Sequence, residues 1–153
     1  MNSFDFKSQI ATSRSQSERL IALGLKPETA DMTHHYMYST DGYELKDVEF
    51  SRIMHLRELV NKKPVLGRSG DDMYAKDIPA WSLHRLIEMM PQIIGHLELA
   101  INDAFVGYYE DRCESETGMY WEHTEESSNL YDNIISTIEW LVNEGYFNKE
   151  YLI

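Results

Sequence analysis

The stretch Leu97-Glu98-Leu99-Ala100-Ile101-Asn102-Asp103-Ala104-Phe105-Val106-Gly107-Tyr108-Tyr109 decides the fold class. Leu97, Leu99 and Ile101 alternate with His96, Glu98 and Ala100. Successive side chains of a strand point to opposite faces, so this spacing predicts a half-buried strand. Asn102-Asp103 is a turn pair, and Ala104 to Tyr109 reads as a second strand running back. A third strand is expected at Met119 to His123, beyond an acidic stretch. Strands that follow one another so directly pair antiparallel, which makes a three-strand meander.

Helices are expected on both sides of it. Before the meander, Asp77 is a plausible cap, Pro79 suits a first turn, and Leu83, Leu86, Ile87 and Met90 fall at i, i+3, i+4 and i+7. Pro91 closes that helix. After the meander, Leu130, Ile134, Ile138, Leu141 and Val142 form a stripe over about residues 128–143, with Gly145 as the left-handed stop. Near the start, Ser13 to Gln16 and Ser15 to Glu18 both have capping-box spacing, and Leu20, Ile21 and Leu23 supply an apolar face. Gly24 and Pro27 end that helix. Between residues 31 and 46, Asp41-Gly42 predicts a tight hairpin turn flanked by Tyr36, Tyr38 and Tyr43. Residues 47–60 read as a helix carrying Val48, Ile53, Leu56, Leu59 and Val60, and residues 61–76 as a loop. Residues 1–11 read as a weakly ordered lead-in. The expectation is a single α+β domain over residues 1–153. In it an antiparallel sheet, a hairpin plus a three-strand meander, packs against three to four helices.

Composition narrows the function classes. The 153 residues are 42% apolar and 26% charged, as in an ordinary globular domain. No apolar run approaches the roughly 20 residues of a membrane helix. The opening Met1-Asn2-Ser3-Phe4-Asp5-Phe6-Lys7 lacks the layout of a signal peptide, so a cytoplasmic location is expected. The single Cys113 allows neither an internal disulfide nor a cysteine-based zinc site. The net charge is −12 and unevenly placed. Residues 1–76 hold 11 Lys/Arg and 11 Asp/Glu, whereas residues 77–153 hold 3 and 15. Binding to a phosphate backbone requires clustered Lys/Arg, so direct nucleic-acid binding is not expected.

Three segments resemble a group of small proteins of unassigned function from bacterial genomes and their phages. They are Leu23-Gly24-Leu25 running into Thr29-Ala30-Asp31-Met32; Asp77-Ile78-Pro79-Ala80-Trp81-Ser82-Leu83; and Ile138-Glu139-Trp140-Leu141 through Gly145-Tyr146. The resemblance implies a shared fold and a mobile-element origin. It carries over no catalytic residue.

Candidate chemistry is sparse. His34-His35 would point to opposite sides of a strand, so one metal does not easily take both. His84 and Glu88 are spaced i, i+4, as a ligand pair or an ordinary surface pair would be. His55, between Arg52 and Arg57, reads as structural. Asp103 is the best candidate for a buried acid–base carboxylate, against a plain turn reading. Cys113 with His123 as base is disfavoured, because the surrounding carboxylates suppress a thiolate. No cofactor motif or closed metal-ligand spacing appears.

Residues 110–126 carry seven carboxylates and one arginine, bracketed by Tyr108-Tyr109 and Tyr120-Trp121. One aromatic of each pair should face away from the core, and such residues are enriched at protein interfaces. Tyr109, Glu114, Glu116, Tyr120, Trp121, Glu125 and Glu126 therefore form the candidate interaction surface. The leading expectation is a non-enzymatic interaction protein that self-associates or binds a basic protein. The alternative is a small enzyme or cation-binding protein using carboxylates and histidines of residues 96–126.

Overall fold

The computed structural model describes residues 8–36, 49–53, 77–112 and 118–153. Its helices are α1 (Arg14–Ala22), α2 (Leu83–Met89) and α3 (Leu130–Glu144). The strands are β1 (Met32–Tyr36), β2 (Glu49–Ile53), β3 (Ile78–Ala80), β4 (Ile93–Ile94), β5 (Leu97–Asn102), β6 (Phe105–Asp111) and β7 (Met119–Glu126). They form two antiparallel sheets, a three-stranded one ordered β2-β1-β3 and a four-stranded one ordered β4-β5-β6-β7. The fold is α+β.

Local sequence explains the helix ends. Ser13 caps α1: its hydroxyl accepts from the Gln16 amide, and the Gln16 side chain accepts from the Ser13 amide at 2.9 Å. Two orphan donors are thereby satisfied reciprocally. Gly24 follows at φ 101°, where an L side chain would be strained. Asn129 caps α3 by accepting from the Asp132 amide, and Gly145 stops it at φ 78°. The expected stripe of α3 is present, and Ile135, Thr137 and Asn133 are buried as well. The helix is enclosed more widely than one stripe because β6 and β7 cover one side while α1 and α2 approach others.

Three expectations are corrected. The helix read over residues 47–60 is a strand where it is described, since Glu49–Ile53 pairs antiparallel with β1, Met32 opposite Ile53. Phe50 and Ile53 alone are too few to fix a period, and ladder hydrogen bonding decides. The second helix begins later than Asp77. Ile78–Ala80 is an edge strand, with Pro79 opposite Thr33, and an edge tolerates the missing amide of proline. Ser82 is the cap, accepting from the Arg85 amide, and Asp31 accepts from both the amide and the hydroxyl of Ser82. The meander turn is Asp103-Ala104. Asn102 is the last residue of β5, and its side chain accepts from the Ala104 amide at 3.0 Å. The short strand β4 adds a fourth member to the meander. The Asp41-Gly42 hairpin turn, with Tyr38 and Tyr43, lies outside the described residues.

The core packs α3 against β6 and β7 and against α1 and α2, and α1 in turn against β3. Leu20, Leu25, Trp81, Leu86, Val106, Tyr108, Ile134, Ile135, Ile138 and Leu141 are fully buried. Trp81 sits where three segments meet. Its amide donates to Thr12 Oγ1 and its carbonyl accepts from the Thr12 amide, while its indole nitrogen donates to Thr29 Oγ1 at 3.0 Å. All three polar groups of this large buried residue, the amide, the carbonyl and the indole N–H, are thus satisfied, as burial demands. Asn133 fastens the far end, donating to the carbonyl of Ala104 in the β5–β6 turn at 3.0 Å.

Leu86 and Ile138 are each 0% exposed, on different helices of one core. Truncating either to alanine should lower stability by about 2–5 kcal/mol. Urea unfolding of Leu86→Ala and Ile138→Ala measures this, and an unchanged midpoint in either would show that its helix is wrongly phased.

Candidate functional site

Strand register sorts the meander into two faces. Ile101, Val106 and Glu125 lie opposite one another across β5, β6 and β7, as do Leu99, Tyr108 and His123. This inner face meets α3: the Trp140 ring stacks on His123 at 4.5 Å and approaches Tyr108 at 5.7 Å. The intervening residues form the outer face. One row runs across all four strands as Ile93, Glu98, Tyr109 and Trp121. Behind it lie Ala100, Gly107 and Thr124, then Asn102, Phe105 and Glu126.

The outer face is both aromatic and acidic. Trp121 is 37% exposed and Ile93 64%. Phe105 meets Trp121 edge-on at 4.9 Å, and Tyr109 lies 5.1 Å away on its other side. The Trp121 and Phe105 rings close over Gly107, where an added Cβ would sit 2.9 Å from Phe105 and 2.8 Å from the His123 carbonyl oxygen. Glycine is what lets these rings settle against the backbone. The Tyr109 hydroxyl donates to Glu98 Oε2 at 3.0 Å, and this bond to a carboxylate pushes the phenol's pKa up.

A bulge in β7 sets which residues share this face. Tyr108 is opposite His123 while Tyr109 is opposite Trp121, so Glu122 is the extra residue. Tyr120 consequently falls on the other side of the strand, opposite Glu110, and is 42% exposed. The Arg112 guanidinium lies 4.1 Å from the Tyr120 ring centroid, and Arg112 Nε lies 3.0 Å from Glu110 Oε2. The Tyr120 phenol is raised by hydrogen bonding to Glu122. The one arginine of the acidic stretch is therefore already held by an aromatic ring and a carboxylate of its own chain.

Of the seven residues of the candidate interaction surface, Tyr109, Trp121 and Glu126 lie on the outer face of the meander. Tyr120 does not join them. Glu125 is half-buried on the inner side, its Oε1 3.2 Å from His123 Nε2 in an alignment unsuited to a hydrogen bond. Glu114, Glu116 and Cys113 lie outside the described residues. Sequence reasoning missed Glu98, Phe105 and Ile93 as members of the face. Alternation along β5 had already set Glu98 apart from the apolar side, whereas the bulge left no signal in the sequence.

The remaining candidates are ordinary. Asp103 is exposed in its turn. His84 is a surface side chain 2.9 Å from Glu88. His34 is buried, with Nε2 against the Thr12 carbonyl. A hollow lined by Arg19, Ala22, Leu23, Glu139 and Asn143 lies at the α1–α3 seam, and its charged walls are already paired at 3.0 Å. No group of three or more His, Cys, Asp or Glu converges as a metal site among the described residues. No described helix is long and apolar enough to cross a membrane. A scan of protein-family models, a search of curated proteins and a search of solved structures each find no match to this chain.

Two outcomes follow from this geometry. Gly107→Ala should force the rings or the β7 backbone to shift, lowering stability by about 1–3 kcal/mol. Chemical unfolding together with the Trp121 indole resonance would register it, and an unshifted resonance would argue against the close approach. Burial also pushes the His123 imidazole below its ordinary pKa of 6.5, outweighing the opposing pull of Glu125. The unfolded chain then takes up the proton more readily, so stability should fall as pH drops below about 6.5 and level off below the folded pKa. A pH series of thermal melts, compared with His123→Phe, isolates this part. Identical slopes in the two proteins would count against it.

Proposed function

We propose that this chain is a non-enzymatic, cytoplasmic interaction protein whose meander face holds a basic protein partner. The observation that carries this reading is the row Ile93, Glu98, Tyr109 and Trp121, an exposed apolar and aromatic band with carboxylates at its centre and edges. Exposed aromatic clusters supply the desolvated middle of protein interfaces, and charges around them set association rate and partner choice. A second copy docked face to face would bring Glu98 and Glu126 against like charges, whereas a basic partner meets them with opposite charge. A nucleic-acid backbone would be repelled by the same carboxylates. The resemblance to phage-borne proteins is compatible with such a role in a mobile element.

Neutralising Glu98, Glu114, Glu116 and Glu126 to glutamine should slow association and flatten its salt dependence while leaving the fold intact. Truncating the exposed Trp121 to alanine should instead speed dissociation, by about 1–2 kcal/mol or more. Pull-downs from the native host at low salt, repeated with the four-glutamine protein, test this. Loss of a basic partner with the variant supports the reading. The same partners from both proteins, or none from either, overturns it.

A further inference from the structure

We infer that the outer row of the meander is an arginine-reading site: Glu98 would take a guanidinium group from an extended segment of the partner, and the Tyr109 and Trp121 rings would support it by stacking. The inference rests on the basic-partner reading and names which basic side chain is recognised. At a strand spacing of about 4.8 Å, the row from Ile93 to Trp121 spans roughly 14 Å, enough for one extended segment to lie along it. Tyr109 satisfies only Glu98 Oε2, by a hydrogen bond of 3.0 Å, and the Glu98 side chain is exposed. A carboxylate has about four acceptor positions, so capacity remains for a forked donor.

The chain itself shows the pattern that such a site accepts. On the other side of β7, Arg112 lies over the Tyr120 ring at 4.1 Å and donates to Glu110 at 3.0 Å. Glu98 and Tyr109 repeat the pairing of a tyrosine ring with a carboxylate, and among the described residues no arginine or lysine is paired with Glu98. Trp121 adds a second ring beside the first, 5.1 Å from Tyr109. A planar guanidinium can bind a carboxylate with two donors and lie flat on a ring at once, whereas the compact lysine ammonium does neither as well. Ile93, 64% exposed at the end of the row, would cover the aliphatic stem of the incoming side chain.

The test titrates the full-length, isotopically labelled chain with two synthetic peptides of alternating basic and serine residues, identical except that one carries arginine and the other lysine. The Trp121 indole signal, assigned with Trp121→Phe, reports contact at the row. The expected result is about two- to fivefold tighter binding of the arginine peptide, with movement of that signal. Glu98→Gln should abolish the arginine preference, and Tyr109→Leu should reduce it, while Glu144→Gln, which removes equal charge elsewhere, should leave it. Equal affinity for both peptides, with the Trp121 signal still moving, would overturn arginine reading and leave the basic-partner reading standing. Binding that moves signals only around Tyr120 and Glu110 would overturn the assignment to this row. No binding of either peptide at low salt would overturn both readings.

Discussion

Everything in this fold turns on finding hydrogen-bond partners for one buried tryptophan. Trp81 is fully enclosed, and an indole with an unsatisfied N–H at that depth would cost on the order of 1–3 kcal/mol. Thr29 supplies the indole acceptor, and Thr12 brackets the backbone on both its amide and its carbonyl. Those bonds hold the segment before α1, the turn after it and the entry to α2 at one point. Asp31 then fixes Ser82, and Arg85 donates to the Thr29 carbonyl at 2.7 Å, so the start of α2 inherits its position from the same junction. With α1 and α2 placed, α3 has two helices to lie against and one face left over for the meander.

That remaining face divides the labour between the two sides of the sheet. The inner residues Val106 and Tyr108 are core and contribute to stability, as does the Tyr108 hydroxyl, which donates to the Pro91 carbonyl at 2.7 Å. The outer residues Phe105, Tyr109 and Trp121 contact chiefly one another. On the proposed reading, this aromatic patch and its carboxylates serve contact with a partner. The carboxylates also guard against unwanted association: Glu122, Glu125 and Glu126 lie on β7, at the edge of its sheet, and charges there discourage edge-to-edge pairing.

How much of this was legible beforehand depended on whether the signal was local. The meander and α3 were readable because Leu97, Leu99 and Ile101, and then Ile134, Ile138 and Leu141, repeat at the period of their own backbone. Gly145 was readable because a left-handed stop needs glycine. The strand at Glu49–Ile53 was not, because its identity lies in its pairing with β1, a partner distant in sequence. Pro79 misled for a related reason: proline suits a first helical turn and an edge strand equally, and only the sheet distinguishes them. For the site, alternation predicted that one aromatic of each pair would face outward, without saying that these would be Tyr109 and Trp121. It could not predict that they would touch, since that requires an irregularity in β7 that no residue type announces.

The irregularity itself has an evolutionary consequence. Because Glu122 occupies a position with no counterpart on β6, the residues before it are out of step with those after it. Loss of this single residue would restore strict alternation with the same pairing, leaving Trp121 opposite Tyr109 and Tyr120 opposite Glu110. The extra residue is absorbed by the bulge, so the faces on which Trp121 and Tyr120 lie survive a change of strand length by one residue, with the hydrophobic alternation of β5 and β6 untouched. A lineage could gain or lose a residue at this point of β7 without exchanging the aromatic ring that the outer face displays.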